Sequence, residues 1–357
     1  MYSQDVQEEV LDELLKTYAE TSYGKEKGCE EISTIEEYRQ RFPVVTYRDL
    51  EPYIERVLKG DWRSLLSEPP AWFGATSGTR GTPKLIPLTP SDLRERLAVM
   101  TEGMKMIAKN FGAKPRGKCL CVYFPSRVLD VELGGLKVPC GYISGIYAAL
   151  FEKAGLPVKP PVEEMDRIGD GTAPKDWKRR FDLVYRYLRD EDVGFAVGAA
   201  YALYQLGVYM KKRYGVLPRD LWNTSFMLCA GEPYISQYYE SDLKKMYGRD
   251  VVIVEGCGAT EGLFAMRLDE EPYLTPFYNH YFFEVEVKGE VKMLHEMREG
   301  EIGRLIVSTR VLPRYAIGDL IKCYEEGKYY RVIGRDTPKT RILVALEEIL
   351  ETAISVF

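Results

Sequence analysis

Histidine is nearly missing from this 357-residue chain: His280 and His295 are the two it has. A mechanism centred on a histidine base has little to draw on. Cysteine is present but unorganised, with seven residues at 29, 119, 121, 140, 229, 257 and 323. Cys119 and Cys121 sit too close for a CxxC pair, and neither a disulfide framework nor a zinc spacing emerges. There is no basic excess either. A formal net charge of -5 argues against generic nucleic-acid binding, which needs a positive surface to displace counterions from phosphates. No apolar run reaches bilayer-spanning length, and MYSQDVQEEVLDELL carries acids where a secretory leader would carry bases. These absences predict a cytoplasmic protein with neither nucleic acid nor membrane as partner. Internal repeats and low-complexity tracts are also lacking.

What is present suits a sizeable core: 45% hydrophobic and 29% charged residues are ordinary for a globular protein and leave no sign of widespread disorder. The length fits one large α/β domain or two. Val6, Val10, Leu11, Leu14 and Leu15 recur at helical spacing, and a second helix is predicted from Tyr47 to Val57. From residue 71 the texture becomes short apolar strands, at 71–75, 85–88, 118–124, 193–197, 226–229 and 251–255. They alternate with helices at 90–111, 181–189, 200–214 and 234–247, the pattern of a layered α/β fold. After Glu261 the runs HYFFEVEV, EVKML, GRLIVST, DLIKCY and KYYRVIG alternate apolar and polar, which predicts a mostly antiparallel sheet. Residues 157–175, rich in Pro, Gly and charge, read as a long loop. KRR at 178–180 and KKR at 211–213 read as solvated helix surfaces.

Four islands carry chemistry. In WFGATSGTRGTPKLIPLT, residues 72–89, Ser77, Gly78, Thr79 and Gly81 follow one predicted strand and Lys84 begins the next. Glycines let several N–H groups turn toward one anion, and small hydroxyls add donors without blocking its approach. This is a candidate polyphosphate loop, distinct from the Walker A pattern because Pro83 precedes Lys84 and Leu85 follows it. A flexible hairpin is the plain alternative. CAGEPY, 229–234, places Gly231 beyond the carboxyl end of a strand, where open α/β sheets bind ligands; alone it reads as an ordinary turn. VEGCGATEG, 254–262, brings Thr260 beside Glu261, a hydroxyl and a carboxylate suited to a phosphate and its Mg²⁺. RYAIGDLIKCY puts Asp319 at the start of a predicted strand, where a carboxylate can accept two ribose hydroxyls.

In this order the islands resemble the adenylate-forming superfamily of acyl-CoA synthetases, peptide-synthetase adenylation domains and luciferases. FPVVTYRDLEPYIERVLKGD, TSGTRGTPKLIPLT, YFFEVEV, and RYAIGDLIK with GRDTPKTR after it narrow the resemblance to the auxin-responsive Gretchen Hagen acyl-acid amido synthetases and their prokaryotic relatives. The resemblance covers about residues 35 to 350. It implies the large N-terminal domain of those enzymes, with layered α/β sheets and a smaller antiparallel β region. Thr76, Ser77, Gly78, Thr79, Gly81 and Lys84 match the triphosphate loop; Gly231, Glu232 and Pro233 match the turn lining the adenine pocket. Gly258, Ala259, Thr260 and Glu261 match the motif whose hydroxyl meets the α-phosphate and whose glutamate holds Mg²⁺. Asp319 matches the ribose aspartate, and Arg335 an arginine near the ribose at the interdomain hinge.

The implied function is ATP-dependent activation of a carboxylic acid as an acyl adenylate, followed by transfer to an amine such as an amino acid. Transfer to coenzyme A is the rival second step, and a nucleotide-binding or assembly subunit with little chemistry of its own is the rival class. For the acid pocket Phe124, Tyr201 and Phe264 are candidates that equally fit ordinary core; His280 fits either a pocket wall or a structural strand end, and His295 the surface. The division implied is 1–334 for the large domain and 335–357 for the hinge and the first strand and helix of a lid that is otherwise absent. A lid from a separate subunit, a fragmentary chain and a reduced enzyme all remain open.

Overall fold

The computed structural model describes residues 4–76, 84–112, 116–232 and 234–355, with side chains up to 346. Its described strands fall into three sheets. The largest has seven strands, in the order Thr275–Pro276, Gly262–Met266, Val252–Ala259, Phe226–Ala230, Phe195–Ala199, Cys119–Val122, Val158–Lys159. Neighbours from Val252–Ala259 to Val158–Lys159 pair in parallel, whereas Gly262–Met266 and Thr275–Pro276 are antiparallel. A four-stranded sheet runs Leu85–Leu88, Trp72–Ala75, Leu136–Tyr142, Leu129–Leu133. The third, with five antiparallel strands, comprises Glu290–Met293, Phe282–Val287, Ile302–Ser308, Tyr315–Glu325 and Tyr329–Arg335. This is the layered α/β architecture with an antiparallel sheet that the sequence pattern implies.

Local chemistry sets the helix ends. Thr89 accepts from the Asp92 N–H, Pro90 occupies the first turn, and Gly112 closes the helix Pro90–Phe111 at φ 64°, so its predicted limits and the observed ones coincide. Leu203, Leu206 and Met210 face the seven-stranded sheet from Ala200–Tyr214, and Gly215 ends that helix in the left-handed region. The N-terminal helices are fastened to the five-stranded sheet by buried polar groups. Glu284 accepts from Arg314 Nε and Nη2 at 2.8 and 3.0 Å and from Arg39 Nε at 2.8 Å. Gln7 donates to the Tyr278 and Tyr281 carbonyls and accepts from the Phe283 N–H.

Several expectations are corrected. Residues 157–175 are not one loop: they hold the strand Val158–Lys159, the helix Val162–Asp166 and the start of Pro174–Leu188, with Pro161 and Pro174 at the helix entries. The predicted helix 234–247 is two, Ile235–Tyr238 and Glu240–Tyr247. Arg180 is no surface residue but fully buried, on the stripe of Trp177, Phe181, Val184 and Leu188 that packs inward. His295 is half-buried, its ring edge-on to Tyr278. Past Arg335 there is a single helix, Pro338–Ser355, and no strand among the described residues. Nor is any described helix long and apolar enough to cross a membrane.

His280 clamps the sheet layer to the helix Pro90–Phe111, with Nδ1 2.6 Å from Glu95 and Nε2 2.8 Å from Glu102; Arg310 also donates to Glu95. Burial pulls the imidazole pKa down, but the two carboxylates outweigh it and the net shift is upward. Burial pushes Glu95 up, and His280 with Arg310 reverses that to a net lowering. The histidine contribution is therefore complete below its unfolded pKa of about 6.5 and fades as pH rises through the higher folded value. The Glu95 contribution is lost when acid protonates it. We expect His280→Ala to lose about 2 kcal/mol of unfolding free energy near pH 6, a loss that shrinks toward pH 9 in urea titrations. A loss independent of pH would refute the clamp.

Candidate active site

The carboxyl ends of the parallel strands open onto a cavity of about 340 Å³, the position where open α/β sheets bind ligands. Its floor is Val197–Ala199, Leu228, Ala230, Gly231, Gly256 and Gly258 to Thr260. The opposite wall is Tyr142 and the helix Ile143–Lys153, which contributes Tyr147 and Phe151. That helix and the hairpin before it, Leu129–Leu133 with Leu136–Tyr142, were not foreseen. Pro139 and Gly141 inside the second strand hide its alternation, although Gly134-Gly135 is a hairpin signal. No charged side chain lines the cavity among the described residues, so it suits an apolar body carrying a polar end. Of the proposed acid-pocket residues Phe124 lines it, Tyr201 lies exposed outside it, and Phe264 is core.

At one end of the cavity the hairpin Val252–Ala259 to Gly262–Met266 turns through Thr260 and Glu261. Both are buried. A Cβ on Gly74 would come within 2.4 Å of the Thr260 methyl, so glycine at 74 allows the four-stranded sheet to close on this turn. The Glu261 carbonyl accepts from Arg96 Nη2 at 2.8 Å, and its carboxylate lies near the Tyr315 hydroxyl, whose pKa burial and that carboxylate both raise.

The phosphate-loop residues Ser77, Gly78, Thr79 and Gly81, like Pro233, lie outside the described residues. Their described flanks form a closed hairpin. Thr76 N–H donates to the Lys84 carbonyl at 3.0 Å, and Lys84 N–H to Thr76 Oγ1 at 3.2 Å. Lys84 Nζ stands 5.3 Å from the Tyr47 ring centre, and Tyr47 in turn neighbours Tyr315.

Asp319 lies within Tyr315–Glu325 rather than at the start of a strand, because Gly318 at φ 87° bends the chain without ending its pairing. Burial pushes its carboxyl up to about 6, Arg335 pulls it down, and Glu261 pushes it up. Arg335 Nη1 is 3.2 Å from Asp319 Oδ1 and donates to the Ile317 carbonyl at 2.7 Å. Glu255, on the same strand as Gly258 and Ala259, is pushed to about 7 by burial and restrained by Arg331. Glu232 accepts from the Ala200 N–H at 3.0 Å, capping the helix Ala200–Tyr214, while Gly231 at φ 97° turns away from the strand. The structure thus brings Thr260, Glu261, Asp319 and Arg335 together, with Gly231 and Gly258 on the cavity floor. A wider groove of about 670 Å³ on the outer face, beside Tyr185 and Tyr214, holds none of these residues.

Residues 1–150 match the GH3 family N-terminal domain. Over 124 residues the chain is 33% identical to indole-3-acetic acid-amido synthetase GH3.15 of Arabidopsis thaliana, a stretch covering 34% of this chain and 21% of that protein. Over 165 residues it is 26% identical to jasmonoyl–L-amino acid synthetase JAR4 of Nicotiana attenuata, covering 46% and 28% respectively. These matches span about a fifth to a quarter of the curated relatives' lengths. Among solved structures, AtGH3.15 acyl acid amido synthetase in complex with 2,4-DB superposes with a TM-score of 0.73 at 17% identity, over 93% of this chain and 68% of that one. A 2-hydroxyisobutyryl-CoA ligase in complex with 2-HIB-AMP and CoA gives 0.67 at 16% identity, over 95% and 70%. The fold is that of the N-terminal domain of adenylate-forming enzymes.

The Asp319 environment makes a signed prediction for carboxyl NMR titrations. The wild-type midpoint should fall near 6; Arg335→Gln should raise it, and Glu261→Gln should lower it. Shifts of the opposite sign would break the assigned arrangement.

Proposed function

With residues 1–150 homologous to the GH3 amido synthetases as the premise, we propose that this chain activates a carboxylic acid with ATP. A carboxylate oxygen attacks the α-phosphorus, the bond from that phosphorus to the bridging oxygen of pyrophosphate breaks, and an amine such as an amino acid then attacks the acyl carbon, breaking its bond to the AMP oxygen and releasing AMP and a proton. The observation that carries the reading is the apolar cavity ending at the Thr260–Glu261 turn, beside Asp319 and Arg335. A carboxylate is already ionised at neutral pH, so the reaction asks for alignment and charge neutralisation rather than a base. The scarcity of histidine is consistent with that.

In this reading Lys84, with Thr76, Ser77, Gly78, Thr79 and Gly81, grips the triphosphate and orients pyrophosphate as leaving group. Gly231, Glu232 and Pro233 border the adenine, Asp319 and Arg335 hold the ribose, and the Thr260 hydroxyl meets the α-phosphate with Gly258 and Ala259 behind it. Glu261 is the residue that would hold Mg²⁺. Its buried carboxylate fits that role, because Mg²⁺ takes one or two carboxylates and completes its shell with substrate phosphates and water. Bound there, the cation would offset the charge that grows on the phosphates. The reading also divides the chain at 335, with 335–357 as hinge and start of a lid, and it sets the protein in the cytoplasm.

Calorimetry tests the nucleotide half without knowledge of the acid. Lys84→Ala should weaken Mg·ATP binding about tenfold or more, the value of one charge-assisted hydrogen bond. ATP–pyrophosphate exchange with benzoate, phenylacetate, indole-3-acetate and octanoate tests the chemistry, and Glu261→Ala should slow it about a hundredfold. Acyl transfer to coenzyme A in place of amino acids would favour the ligase alternative. A folded wild type that binds Mg·ATP but exchanges with no acid would mark a nucleotide-binding subunit, and one that binds no Mg·ATP would end the proposal.

A further inference from the structure

Arg96 is fully buried on the helix Pro90–Phe111, and its guanidinium reaches two ways. Nε donates to Asp92 Oδ2 at 2.7 Å, a buried ion pair one helical turn back, and Nη2 donates to the Glu261 carbonyl at 2.8 Å. Apart from each other, Nη1 and the buried hydroxyl of Tyr147 meet no hydrogen-bond partner among the described residues. The two orphans are neighbours, since the tyrosine hydroxyl feels the Arg96 charge directly. Tyr147 lines the apolar cavity together with Thr260 and with Met100, the residue one turn beyond Arg96.

Donor counting shows what is missing. If Nη1 donates to the Tyr147 oxygen, the hydroxyl proton still needs an acceptor; if both donate outward, both need one. The pair is short of an acceptor in either arrangement. A buried polar group left unmade costs about 1–3 kcal/mol, and such a group in a native core calls for a ligand or water to complete it. The other buried arginine with unmade donors, Arg180, has Asp176 and Asp166 for neighbours, donates to the Gly169 carbonyl and also neighbours a cavity-lining tyrosine with an unmade hydroxyl, Tyr123; what it lacks is a contact with the turn. Arg96 touches the turn, and through Tyr147 it reaches the cavity.

We propose that Arg96 is a positioning residue that couples occupancy of the acid cavity to the geometry of the Thr260–Glu261 turn, with Tyr147 as its contact on the cavity side. The inference rests on the proposed function, because the missing acceptor is an oxygen of the bound acid. When the acid arrives, the Nη1 and Tyr147 donors meet that oxygen. The guanidinium is then fixed from the cavity side as well as by Asp92, and its Nη2 holds the Glu261 carbonyl in one place. An empty cavity leaves the guanidinium held by Asp92 and the carbonyl alone, and the turn correspondingly freer.

Tyr147→Phe is the decisive variant, because it keeps the ring and removes the hydroxyl. With the acid that exchanges best in the panel above, it should lower kcat/KM for the acid about tenfold and leave Mg·ATP affinity without acid within about twofold of wild type. In wild type, acid should slow hydrogen–deuterium exchange of the peptide containing Glu261, and this protection should be lost in Tyr147→Phe. Arg96→Lys, which keeps the charge but not the fork, should lower kcat, with Arg96→Met lower still. Wild-type kcat/KM and protection in Tyr147→Phe would overturn the coupling while leaving the proposed function standing. Equal losses of melting temperature, Mg·ATP affinity and acid turnover would also overturn it, by showing a purely structural role. A wild type that exchanges with no acid would remove the proposed function and this inference together.

Discussion

The contact on which this structure turns is the closure of the four-stranded sheet against Thr260. The Thr260 methyl fills the space that any side chain at position 74 would need, and the neighbouring carbonyl is gripped by a buried arginine from a helix that packs between layers. The Tyr315 hydroxyl, from the five-stranded sheet, also lies near the turn. Elements of all three sheets therefore converge on two residues. Displacing the turn would open the cavity floor on one side and separate Glu261 from Asp319 on the other, so packing and site geometry are one constraint.

Around that turn the molecule separates apolar from polar. The cavity is walled by Met100, Tyr142, Phe151 and strand-end small residues, while Glu255, Glu261 and Asp319 gather on the opposite side of Val252–Ala259. Burial pushes Glu255 to about 7 and Asp319 to about 6, and the Glu261 charge adds to the rise at Asp319. Arg331 and Arg335 moderate both. Arg331 is itself wedged among Tyr234, Tyr273 and Tyr324, so its charge is held in place by aromatic faces as well as by the Pro272 carbonyl. An arrangement of this kind favours a ligand that brings its own hydroxyls and a cation to the acidic side.

Much of this could be read from residue order. Pro90 and Gly112 mark a helix at both ends, and the strand-then-glycine pattern located Gly231 just past its strand, where backbone freedom is needed; Gly258 instead lies inside Val252–Ala259, which continues beyond the expected end at 255 to pair with Gly262–Met266. What escaped depends on tertiary context. Arg180 sits in KRR, a run that reads as solvated, yet its spacing to Phe181, Val184 and Leu188 places it on the buried stripe. Arg96 escaped for the same reason: its Asp92 partner four residues back resembles a surface pair, and nothing local shows that both are inside. The wall from Leu129 to Lys153 escaped because Pro139 and Gly141 break its alternation, and its fourth-strand partner is recognisable only through the Gly134-Gly135 turn.

The position of Arg335 obeys the same logic of shared constraints. It is the last residue of its strand, paired in register with Asp319, and its side chain is 62% exposed. An ion pair that open contributes little to folding. Its hydrogen bond to the Ile317 carbonyl instead aims the guanidinium along the Gly318 bend, so that Asp319 and Arg335 present a fixed acid-and-base edge beside Glu261. Immediately beyond, Asp336 donates its N–H to the Gly318 carbonyl and takes Arg341 onto its carboxylate. The chain leaves the sheet at the one place where strand pairing, the Gly318 bend and the charged edge coincide. In the proposed reading, a rotation of the helix Pro338–Ser355 would pivot on Arg335 and Asp336, which are already fixed to the site.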